Sequence, residues 1–551
     1  FREITRRARA RFEARDWRGT QADALARLEL RDRVVTGAVR ELRGLLGEAA
    51  ASQELRVLLK REFERDLAGA ADPELARTFF NSVTRRTFGT IGVNPDAEFV
   101  ARDVDLQPPP DVGPPVYATY PRQPSTEAAT RRILEDVSFD APYADLDRDV
   151  RLAAAALDAH GLAAREPQPV EAIEVLTPVF FRGKGAYLVG RLRRGPLVSP
   201  LILALLHDEE GVRVDAVLPS AHDASIVFSF TRSYFHVDVD RPAALVAFLK
   251  SILPQKRTSE LYISIGHHKH GKTLLYHEIV DRLARTPDRF EPARGDRGMV
   301  MIVFTLPALD VVFKVIRDRF APPKALTRAD VVQKYALVFR HDRAGRLVDA
   351  QEFEHLVFDR ERFAGPLLEE LLAEAADTVR VEGDRVLIRH LYAERRVVPL
   401  NLFIRERDEW TARDALLDYG QAIRDLAATN TFPGDLLLKN FGVTRTGRVI
   451  FYDYDELCLV TECNFREIPR APHEEEEAGG EPWFYVGPND VFPEEFTPFL
   501  GLPERLRAAF LAAHGEIMTA GFWRRMQARH AAGEIVDVFP YRETQRLRHV
   551  R

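Results

Sequence analysis

The pattern of apolar and polar positions along the chain changes more than once. Residues 1–82 carry apolar side chains at steps of three and four with charges between them, a spacing typical of amphipathic helices. Two proline clusters, Pro108–Pro115 and Pro121–Pro124, interrupt this spacing and predict a loop. The helical spacing returns at Thr126–Val137 and Asp147–His160. The beginning of the chain is therefore expected to be largely helical.

Short runs of aliphatic and β-branched residues follow and predict strands. The five runs are Ile173–Leu176, Ala186–Leu192, Leu201–Leu206, Val212–Val217 and Ser225–Phe230. Helical spacing then resumes at Pro242–Leu253 and Gly271–Ala284. Residues 1–288 are therefore predicted to form one domain that is largely helical and contains some strands.

Near residue 289 the order of predicted elements changes. Two strands, Met299–Phe304 and Val311–Ile316, are joined by a short turn that contains a proline. Three helices are predicted after them, at Thr327–Phe339, Pro366–Ala376 and Thr411–Thr429. One further strand, Arg385–Leu391, lies between the second and third of these helices. We therefore expect an α+β protein in which residues 289–551 form a bilobal, protein-kinase-like domain.

Composition narrows the class of protein. A chain of 551 residues is too long for one core, and a net charge of −6 offers no general attraction to nucleic acid or anionic membranes. No apolar run is long enough to cross a membrane and no signal segment opens the chain, which favours a cytoplasmic location. The acidic run Glu474–Glu477 predicts a solvated loop. Cys458 and Cys463 are expected to be ordinary reduced cysteines, because two thiols without nearby histidines make a poor zinc site.

Candidate chemistry is concentrated in residues 435–453. Asp435 and Asn440 have the spacing of a kinase catalytic loop, and Asp453 follows a predicted hairpin of Phe441–Val443 and Arg448–Tyr452. Phosphoryl transfer needs a carboxylate beside the attacking hydroxyl, and an amide with a second carboxylate on magnesium. Asp435 is therefore predicted to be the catalytic base, with Asn440 and Asp453 as metal ligands.

Two lysines complete this arrangement. Lys439 lies in the catalytic loop and is expected to neutralise the transferred phosphoryl group. Lys314 lies in an apolar strand and is expected to hold the α- and β-phosphates of ATP. The sequence does not decide which glutamate pairs with Lys314. Helix Thr327–Phe339 contains no glutamate, and Glu352 or Glu354 are the remaining candidates. A glycine-containing turn before the strand predicts phosphate contacts from Ala293, Arg294, Gly295, Asp296, Arg297, Gly298 and Met299.

A second segment also fits a phosphate-binding pattern. Gly266–Thr273 has the P-loop spacing, follows a predicted strand at Leu261–Ile265 and opens a helix. Bulky histidines fill this segment, and no convincing apolar strand ends in an aspartate that would hold the metal. We interpret it as a basic start of a helix, although an ATPase that depends on Lys272 stays as an alternative.

The motifs together resemble one known family, the isocitrate dehydrogenase kinase/phosphatases. The resemblance is dense between about residues 290 and 500 and looser elsewhere. It is carried by Gly298–Pro307, Val312–Pro322, His341–Arg343, Asp349–Phe353, His390–Arg396, Phe432–Arg445, Tyr452–Glu456 and Pro493–Phe496.

This resemblance implies a bifunctional enzyme. It would phosphorylate a serine of NADP-dependent isocitrate dehydrogenase and also remove the phosphate, and so control flux between the tricarboxylic acid cycle and the glyoxylate bypass. ATP or ADP with Mg²⁺ or Mn²⁺ would be the cofactors, AMP an allosteric effector, and the assembly a homodimer with an N-terminal regulatory domain. The resemblance assigns dephosphorylation to Asp349 and the kinase base to Asp435.

Two other interpretations stay open at this point. A small-molecule kinase of the aminoglycoside or choline type would use Asp453 and Asp455 as an Asp-x-Asp metal motif. The second is a protein with a kinase fold that binds a partner without catalysis. The kinase-type residues Lys314, Asp435, Asn440 and Asp453 are all present and disfavour it.

Overall fold

The structure is a computed structural model of the chain. It describes residues 1–47, 52–67, 70, 72–100, 114–163, 169–230, 234–322, 324, 326–341, 343–469, 484–536 and 538–547. The predicted acidic loop at Glu474–Glu477 and residues 108–113 of the predicted proline loop lie outside these ranges.

The N-terminal half begins with helices, as the apolar spacing predicts. Their starts are capped by side chains: Asp16 accepts a hydrogen bond from the Gly19 N–H at 2.8 Å, and Ser125 accepts one from Ala128. The described helices of this half are Arg2–Glu13, Trp17–Leu46, Gln53–Asp66, Pro73–Phe88, Thr126–Asp136, Leu146–Ala163, Ala221–Val227, Pro242–Ile252, Thr258–Ser264 and His268–Arg285.

One antiparallel sheet lies among these helices. Its strands are, in spatial order, Tyr117–Pro121, Ala172–Leu176, Gly185–Arg194, Leu197–His207 and Val212–Leu218, with Phe180–Arg182 beside the third. Both faces of the central strands are covered by helices, since alternate residues such as Ile202 and Leu203 belong to different apolar clusters. Burial on both faces explains why these strands read as continuous apolar runs.

Two predicted strands of this half are wrong. Ser225–Phe230 overlaps a helix, Ala221–Val227, which begins where the Ser220 hydroxyl accepts a hydrogen bond from the Asp223 N–H. Leu261–Ile265 belongs to helix Thr258–Ser264. Helix Thr258–Ser264 is mostly buried, and the end of helix Ala221–Val227 leads into an apolar run. A short apolar run does not distinguish a helix from a buried strand.

The second half begins with another antiparallel sheet, which forms the smaller lobe. The strands run in the order Ala350–Asp359, Arg385–Arg395, Val311–Ile316, Met301–Leu306 and Glu291–Pro292, with Val379–Glu382 also paired to the second. Helix His268–Arg285 contributes Leu275, Ile279 and Leu283 to the apolar cluster under this sheet. The N-terminal half of the chain therefore supplies part of the core of the smaller lobe.

The larger lobe is mostly helical. Its helices are Leu400–Glu406, Glu409–Ala428, Phe496–Phe499, Glu504–His514 and Ala520–Ala531, and helix Arg328–His341 shares their apolar cluster. The predicted catalytic hairpin is confirmed as Phe441–Val443 paired with Val449–Phe451. Short pairs complete the lobe: Val398–Pro399 with the hairpin, Thr431–Phe432 with Cys458–Leu459, and Asn464–Phe465 with Asp490–Val491.

The chain then returns to the N-terminal sheet. The Tyr541 hydroxyl donates to the buried Asp215 carboxylate at 2.8 Å, and the Arg546 guanidinium pairs with the same carboxylate. This contact ties the last described residues to the first half of the molecule. Within the described ranges, no helix has the length and apolar character needed to cross a membrane.

Candidate active site

The hairpin brings two of the predicted residues together. Phe441 lies opposite Phe451, and the Tyr452 N–H donates to the Asn440 carbonyl at 3.1 Å. Asn440 and Asp453 therefore flank the open end of the hairpin, although Asp453 comes thirteen positions after Asn440 in sequence. Gly447 occupies the turn with a φ of +71°, a backbone conformation that favours glycine.

Asp435 lies against this end of the hairpin. The Asn440 side-chain amide donates to its Oδ1, and the Leu437 N–H donates to the same oxygen at 3.2 Å. Gly434, with a φ of +92°, lets the loop pass the backbone of Glu456, because an added Cβ would lie 2.4 Å from the Glu456 Cβ. Burial, with the nearby Glu456 charge, raises the pKa of the Asp435 carboxyl.

Lys314 connects the two lobes. Its ammonium lies 2.8 Å from Glu394 Oε2 and donates to the Tyr452 carbonyl at 2.7 Å. Lys314 and Glu394 are 6% and 4% exposed, so the ion pair is shielded from solvent. Since Asp453 directly follows Tyr452, the lysine reaches the same end of the hairpin as the predicted metal ligands.

The two glutamates offered by the sequence are therefore the wrong partners. Glu352 instead accepts a hydrogen bond from His390 at 2.8 Å, and Glu354 is exposed. The strand predicted to end at Leu391 continues to Arg395. Lys314 lies opposite Tyr392, and this extension places Glu394 two residues further along, opposite Val312. Protein kinases place this glutamate on a helix, whereas here a strand supplies it.

A second carboxylate accompanies Asp453. Burial and a hydrogen bond with Asp455 raise the pKa of Asp453 well above its usual range. Burial acts to raise the pKa of Asp455, but that hydrogen bond and the Lys324 ammonium, 3.2 Å from Asp455, lower it overall. The pKa of one carboxyl is thus raised and that of its neighbour lowered, as expected for two closely placed acids.

The glycine-containing turn lies at the end of the sheet. The Ala293 N–H donates to the Val303 carbonyl at 3.1 Å, and Gly295 has a φ of +119°. At Gly298 an added Cβ would approach the Met301 carbonyl oxygen to 2.6 Å, so only glycine fits this backbone. The turn therefore keeps the tight form that its sequence predicts.

Side chains of the turn face different directions. Arg294 pairs with Glu406 at 2.5 Å, and Arg297 pairs with Glu370 at 3.0 Å and with Glu374. Both arginines are thus engaged by carboxylates on helices, and Met299 is exposed. Asp296 lies close enough to Tyr452 for its charge to assist burial in raising the pKa of that phenol.

A cleft lies between this turn and the hairpin. Its cavity volume is about 610 Å³. Apolar side chains from both lobes line it, together with the segment that joins the lobes: Ala293, Val312, Val397, Val398, Pro399, Phe403 and Val443. This apolar slot includes Val312, two residues before Lys314 on the same strand, and has the character of a site for a flat ring.

Asp349 and Lys439 also lie near the end of the hairpin. The Val348 N–H donates to the Phe451 carbonyl at 3.0 Å, which sets the neighbouring Asp349 beside the strand that precedes Asp453. Gln351 donates to Asp349 Oδ2 at 2.6 Å. The Lys439 side chain is exposed, and its charge acts to lower the pKa of Asp435 against the larger effect of burial.

Comparison with known proteins decides the family. Residues 288–543 match the family model described as isocitrate dehydrogenase kinase/phosphatase (AceK) kinase domain, and residues 1–287 match the model described as the regulatory domain of the same enzyme. The chain belongs to the isocitrate dehydrogenase kinase/phosphatase family. The sequence-based resemblance is thereby confirmed.

Named relatives agree along the whole chain. The isocitrate dehydrogenase kinase/phosphatase of Anaeromyxobacter dehalogenans is 61% identical and the match covers 99% of this chain and 94% of the relative. That of Xanthomonas euvesicatoria pv. vesicatoria is 44% identical with the same coverage. A solved structure, the ROP18 kinase domain in complex with AMP-PNP and sucrose, is 12% identical to this chain. The match covers 44% of this chain and 71% of that structure, with a TM-score of 0.22.

The P-loop-like segment of this family member has a different environment. Two helices, Thr258–Ser264 and His268–Arg285, flank it where a P-loop needs a preceding strand. An added Cβ on Gly271 would lie 2.4 Å from the Ser259 carbonyl oxygen, and the Lys272 ammonium lies 4.9 Å from the centre of the Phe353 ring. The segment is therefore part of the packing between the regulatory helices and the kinase sheet.

Sequence reasoning missed several residues of the cleft. Glu394, Lys324 and the connecting segment 396–399 were not singled out, although each contacts or lines the site. The apolar residues Tyr392 and Ala393 indicate that the predicted strand extends toward Glu394, but not which residue Glu394 contacts. No local signal exists for Lys324, which is brought in by the loop before helix Arg328–His341.

Proposed function

We propose that this chain is a bifunctional enzyme that uses ATP to phosphorylate a serine of NADP-dependent isocitrate dehydrogenase and also hydrolyses the resulting phosphoserine. It would thereby switch carbon flux between the tricarboxylic acid cycle and the glyoxylate bypass. Family membership over the whole chain supports the substrate. The observation that carries the chemistry is the convergence of Lys314, Asp435, Asn440 and Asp453 at one end of the hairpin.

Nucleotide binding follows from the cleft. The adenine of ATP would lie among the apolar side chains beside Val312 and Val443, and the backbone of Ala293–Met299 would approach the phosphates. Lys314 would hold the α- and β-phosphates, since Glu394 keeps its ammonium in place. Preorganisation of this buried pair supplies charge stabilisation without reorganisation during transfer.

Asp435 would accept the proton of the attacking serine hydroxyl. Its carboxylate is oriented by Asn440 and the Leu437 N–H, and burial raises its pKa, which makes it a better proton acceptor. Lys439, exposed at the same loop, would offset the charge that develops on the transferred group.

The donor set fits Mg²⁺ or Mn²⁺. Asp453 and Asn440 would supply oxygen ligands, and the close placement of the Asp453 and Asp455 carboxyls, which raises the pKa of Asp453, favours added positive charge there. Among the described residues no three His, Cys, Asp or Glu side chains form a metal cluster, so the nucleotide must provide further oxygens. The bound ion would neutralise phosphate charge in the transition state.

Dephosphorylation would use the same cleft with water as the nucleophile. Asp349 lies beside the strand that leads to Asp453, and its charge reaches the Lys314–Glu394 pair. A carboxylate in this position can orient a water toward the phosphoserine while Lys314 and the metal hold the phosphate. Phosphoryl transfer mainly requires positioning and charge neutralisation, so one cleft can serve both reactions.

The remaining expectations belong to the same proposal. Residues 1–288 would act as the regulatory domain and 289–551 as the catalytic domain, with AMP as an allosteric effector. The packing of helix His268–Arg285 under the kinase sheet gives a physical route for such coupling. A homodimer in the cytoplasm completes the proposal.

Two aspartate variants test the division of labour. Purified enzyme with radiolabelled ATP and isocitrate dehydrogenase should give phosphoserine, which is later released as inorganic phosphate. Asp435→Asn should lower the kinase rate by about a hundredfold or more, and Asp349→Asn should lower dephosphorylation of prelabelled substrate to a similar extent with the kinase rate retained. Asp359→Asn, at an exposed strand end, is the matched control.

Equal loss of both activities in Asp349→Asn would refute the separate roles. Transfer of phosphate to aminoglycosides or choline, with none to the protein, would refute the proposed substrate and favour the small-molecule kinase.

A further inference from the structure

The two cysteines of the chain lie in contact. A short turn separates Cys458 from Cys463, and their sulfur atoms lie 3.5 Å apart. Both side chains are partly exposed, so small reagents in solvent reach them. The sequence predicts ordinary reduced thiols, and nothing in a five-residue spacing indicates that the sulfurs meet.

The surrounding fold holds this pair in place. The Cys463 N–H donates to the Val460 carbonyl at 3.3 Å, which closes the turn between the two cysteines. The Gln527 side chain donates to the carbonyls of Val460 and Cys463 at 2.9 and 2.7 Å. A disulfide needs sulfurs about 2.05 Å apart, so the thiols must approach by roughly 1.5 Å.

The two thiols are chemically unequal. The hydrogen bond between the two thiols lowers the pKa of Cys458 against the effect of burial, and the nearby Lys334 ammonium acts in the same direction. The same hydrogen bond raises the pKa of Cys463. Cys458 is therefore the better nucleophile, and Cys463 is suited to resolve an oxidised Cys458.

We propose that Cys458 and Cys463 form a modification site at which hydrogen peroxide produces an intrachain disulfide, and that closing this disulfide displaces the catalytic loop that begins at Pro433. The second half of this inference concerns the loop assigned above to phosphoryl transfer, and so its functional meaning rests on the proposed function.

The chemistry balances with peroxide as the only oxidant. The Cys458 thiolate attacks one peroxide oxygen, the O–O bond breaks, and hydroxide leaves to give a sulfenic acid. The Cys463 sulfur then attacks the Cys458 sulfur, the S–O bond breaks, and the departing hydroxide takes the Cys463 proton as water. In sum, two thiols and one peroxide become one disulfide and two waters.

Strand pairing transmits the change to the catalytic loop. Cys458 lies opposite Phe432, and Leu459 lies opposite Thr431, directly before Pro433, Gly434 and Asp435. On its other side the segment is tied down, because Lys334 donates to the Leu457 carbonyl at 2.7 Å. Contraction between the sulfurs therefore pulls on the short strand pair that anchors the loop.

Intact mass and thiol counting test the site without reference to activity. After treatment with hydrogen peroxide and removal of excess, free thiols should fall from two to none per chain and the mass should decrease by about 2 Da, both reversed by dithiothreitol. Cys463→Ser should instead retain an oxidised Cys458 that a sulfenic-acid probe labels. Cys458→Ser should react with peroxide much more slowly.

Hydrogen exchange tests the displacement of the loop. Amide exchange over residues 431–437 should accelerate in the oxidised enzyme and return to its original rate with dithiothreitol, whereas Cys463→Ser should show no change on oxidation. Kinase turnover should fall roughly tenfold, because a displacement of about 1 Å at a catalytic group costs up to about a hundredfold.

The outcomes separate the claims. A mass increase from independent oxidation of each cysteine, or a link between two chains, would overturn the modification site. A disulfide that leaves exchange over residues 431–437 unchanged would overturn the coupling. Neither measurement depends on phosphoryl transfer, so a failure of the proposed function would be visible separately.

Discussion

Two segments of this chain offer a glycine-containing turn and a lysine, and the fold treats them in opposite ways. The turn Ala293–Met299 borders an open cleft, and Lys314 extends from the adjacent strand to the hairpin. In Gly266–Thr273, Gly271 packs against Ser259 and Lys272 covers an aromatic ring. By local spacing the second segment is the better phosphate-binding motif, yet it lies in a packed interface.

The difference shows what a phosphate site requires beyond glycine and lysine. The ammonium must be oriented by a carboxylate and aimed at space that a ligand can enter. Lys314 has Glu394 and a neighbouring cleft, whereas the segment around Lys272 is surrounded by two helices and the kinase sheet. Variants at matched residues of the two segments test this comparison.

The largest effect is expected from the two lysines. Lys314→Met should reduce kinase turnover by about a hundredfold or more, because it removes a preorganised charge from the phosphates. Lys272→Met should leave turnover unchanged and cost at most about 1 kcal/mol of stability, the usual range of a cation–π contact. Turnover is measured with radiolabelled ATP, and stability by urea unfolding.

Loss of Lys314 also leaves Glu394 buried without its partner, which can destabilise the fold. The double variant Lys314→Met with Glu394→Gln removes that charge and should recover stability but no activity. Loss of activity in Lys272→Met with full activity in Lys314→Met would reverse the assignment of the two segments.

A smaller effect is expected from glycines within helices. Gly271→Ala should destabilise the protein by about 1–3 kcal/mol through overpacking, because its Cβ would lie 2.4 Å from the Ser259 carbonyl oxygen. Gly37→Ala, in helix Trp17–Leu46 with no atom near the new Cβ, should stabilise by about 0.5–1 kcal/mol. Urea unfolding measures both, and shifts of the same sign would contradict the packed environment of Gly271.

The smallest effect concerns pH. Burial, with positive charge nearby, lowers the pKa of His270 to about 3, and its Nδ1 lies 2.7 Å from the Thr78 hydroxyl. The unfolded chain binds a proton below about pH 6.5 and the folded chain does not, so stability is complete above that pH and is lost toward pH 3. The slope from this histidine is at most about 1.4 kcal/mol per pH unit.

His270→Gln should flatten this slope between about pH 6.5 and pH 5, as measured by unfolding free energies at several pH values. An unchanged slope would contradict the neutral buried histidine. Asp453 acts with the opposite sign: its raised pKa gives stability that is lost as pH rises above the ordinary range of aspartate.

Much of the architecture was accessible from periodicity and spacing. The N-terminal helices, four strands of the first sheet and the hairpin before Asp453 appear where their patterns predict them. These elements have either a clear amphipathic period or a turn with strong preferences, and such signals are local. The roles of Asp349, Asp435 and Lys439 stay predictions, to be tested by the variants above.

Other features were not predicted correctly, because their causes are not local in the sequence. Ser225–Phe230 was predicted as a strand, because its apolar residues begin in the last turn of a short helix, Ala221–Val227, and continue beyond it. Strand Tyr117–Pro121 was not predicted, because prolines flank it and Pro121 ends it, which an edge strand tolerates. Glu394 was missed because its partner lies on another strand and the pairing register decides which residues meet.

The sequence by itself determined which chemistry is present: a carboxylate, an amide and a second carboxylate at kinase spacing, with a lysine in a preceding strand. Covalent spacing and turn preferences act over a few residues and survive without knowledge of the rest of the chain. Tertiary structure alone decided which glutamate holds Lys314, which glycine-containing turn faces a cleft, and that two cysteines touch. Those outcomes depend on register and packing between distant segments, where burial and excluded volume act on the whole fold rather than on any local pattern.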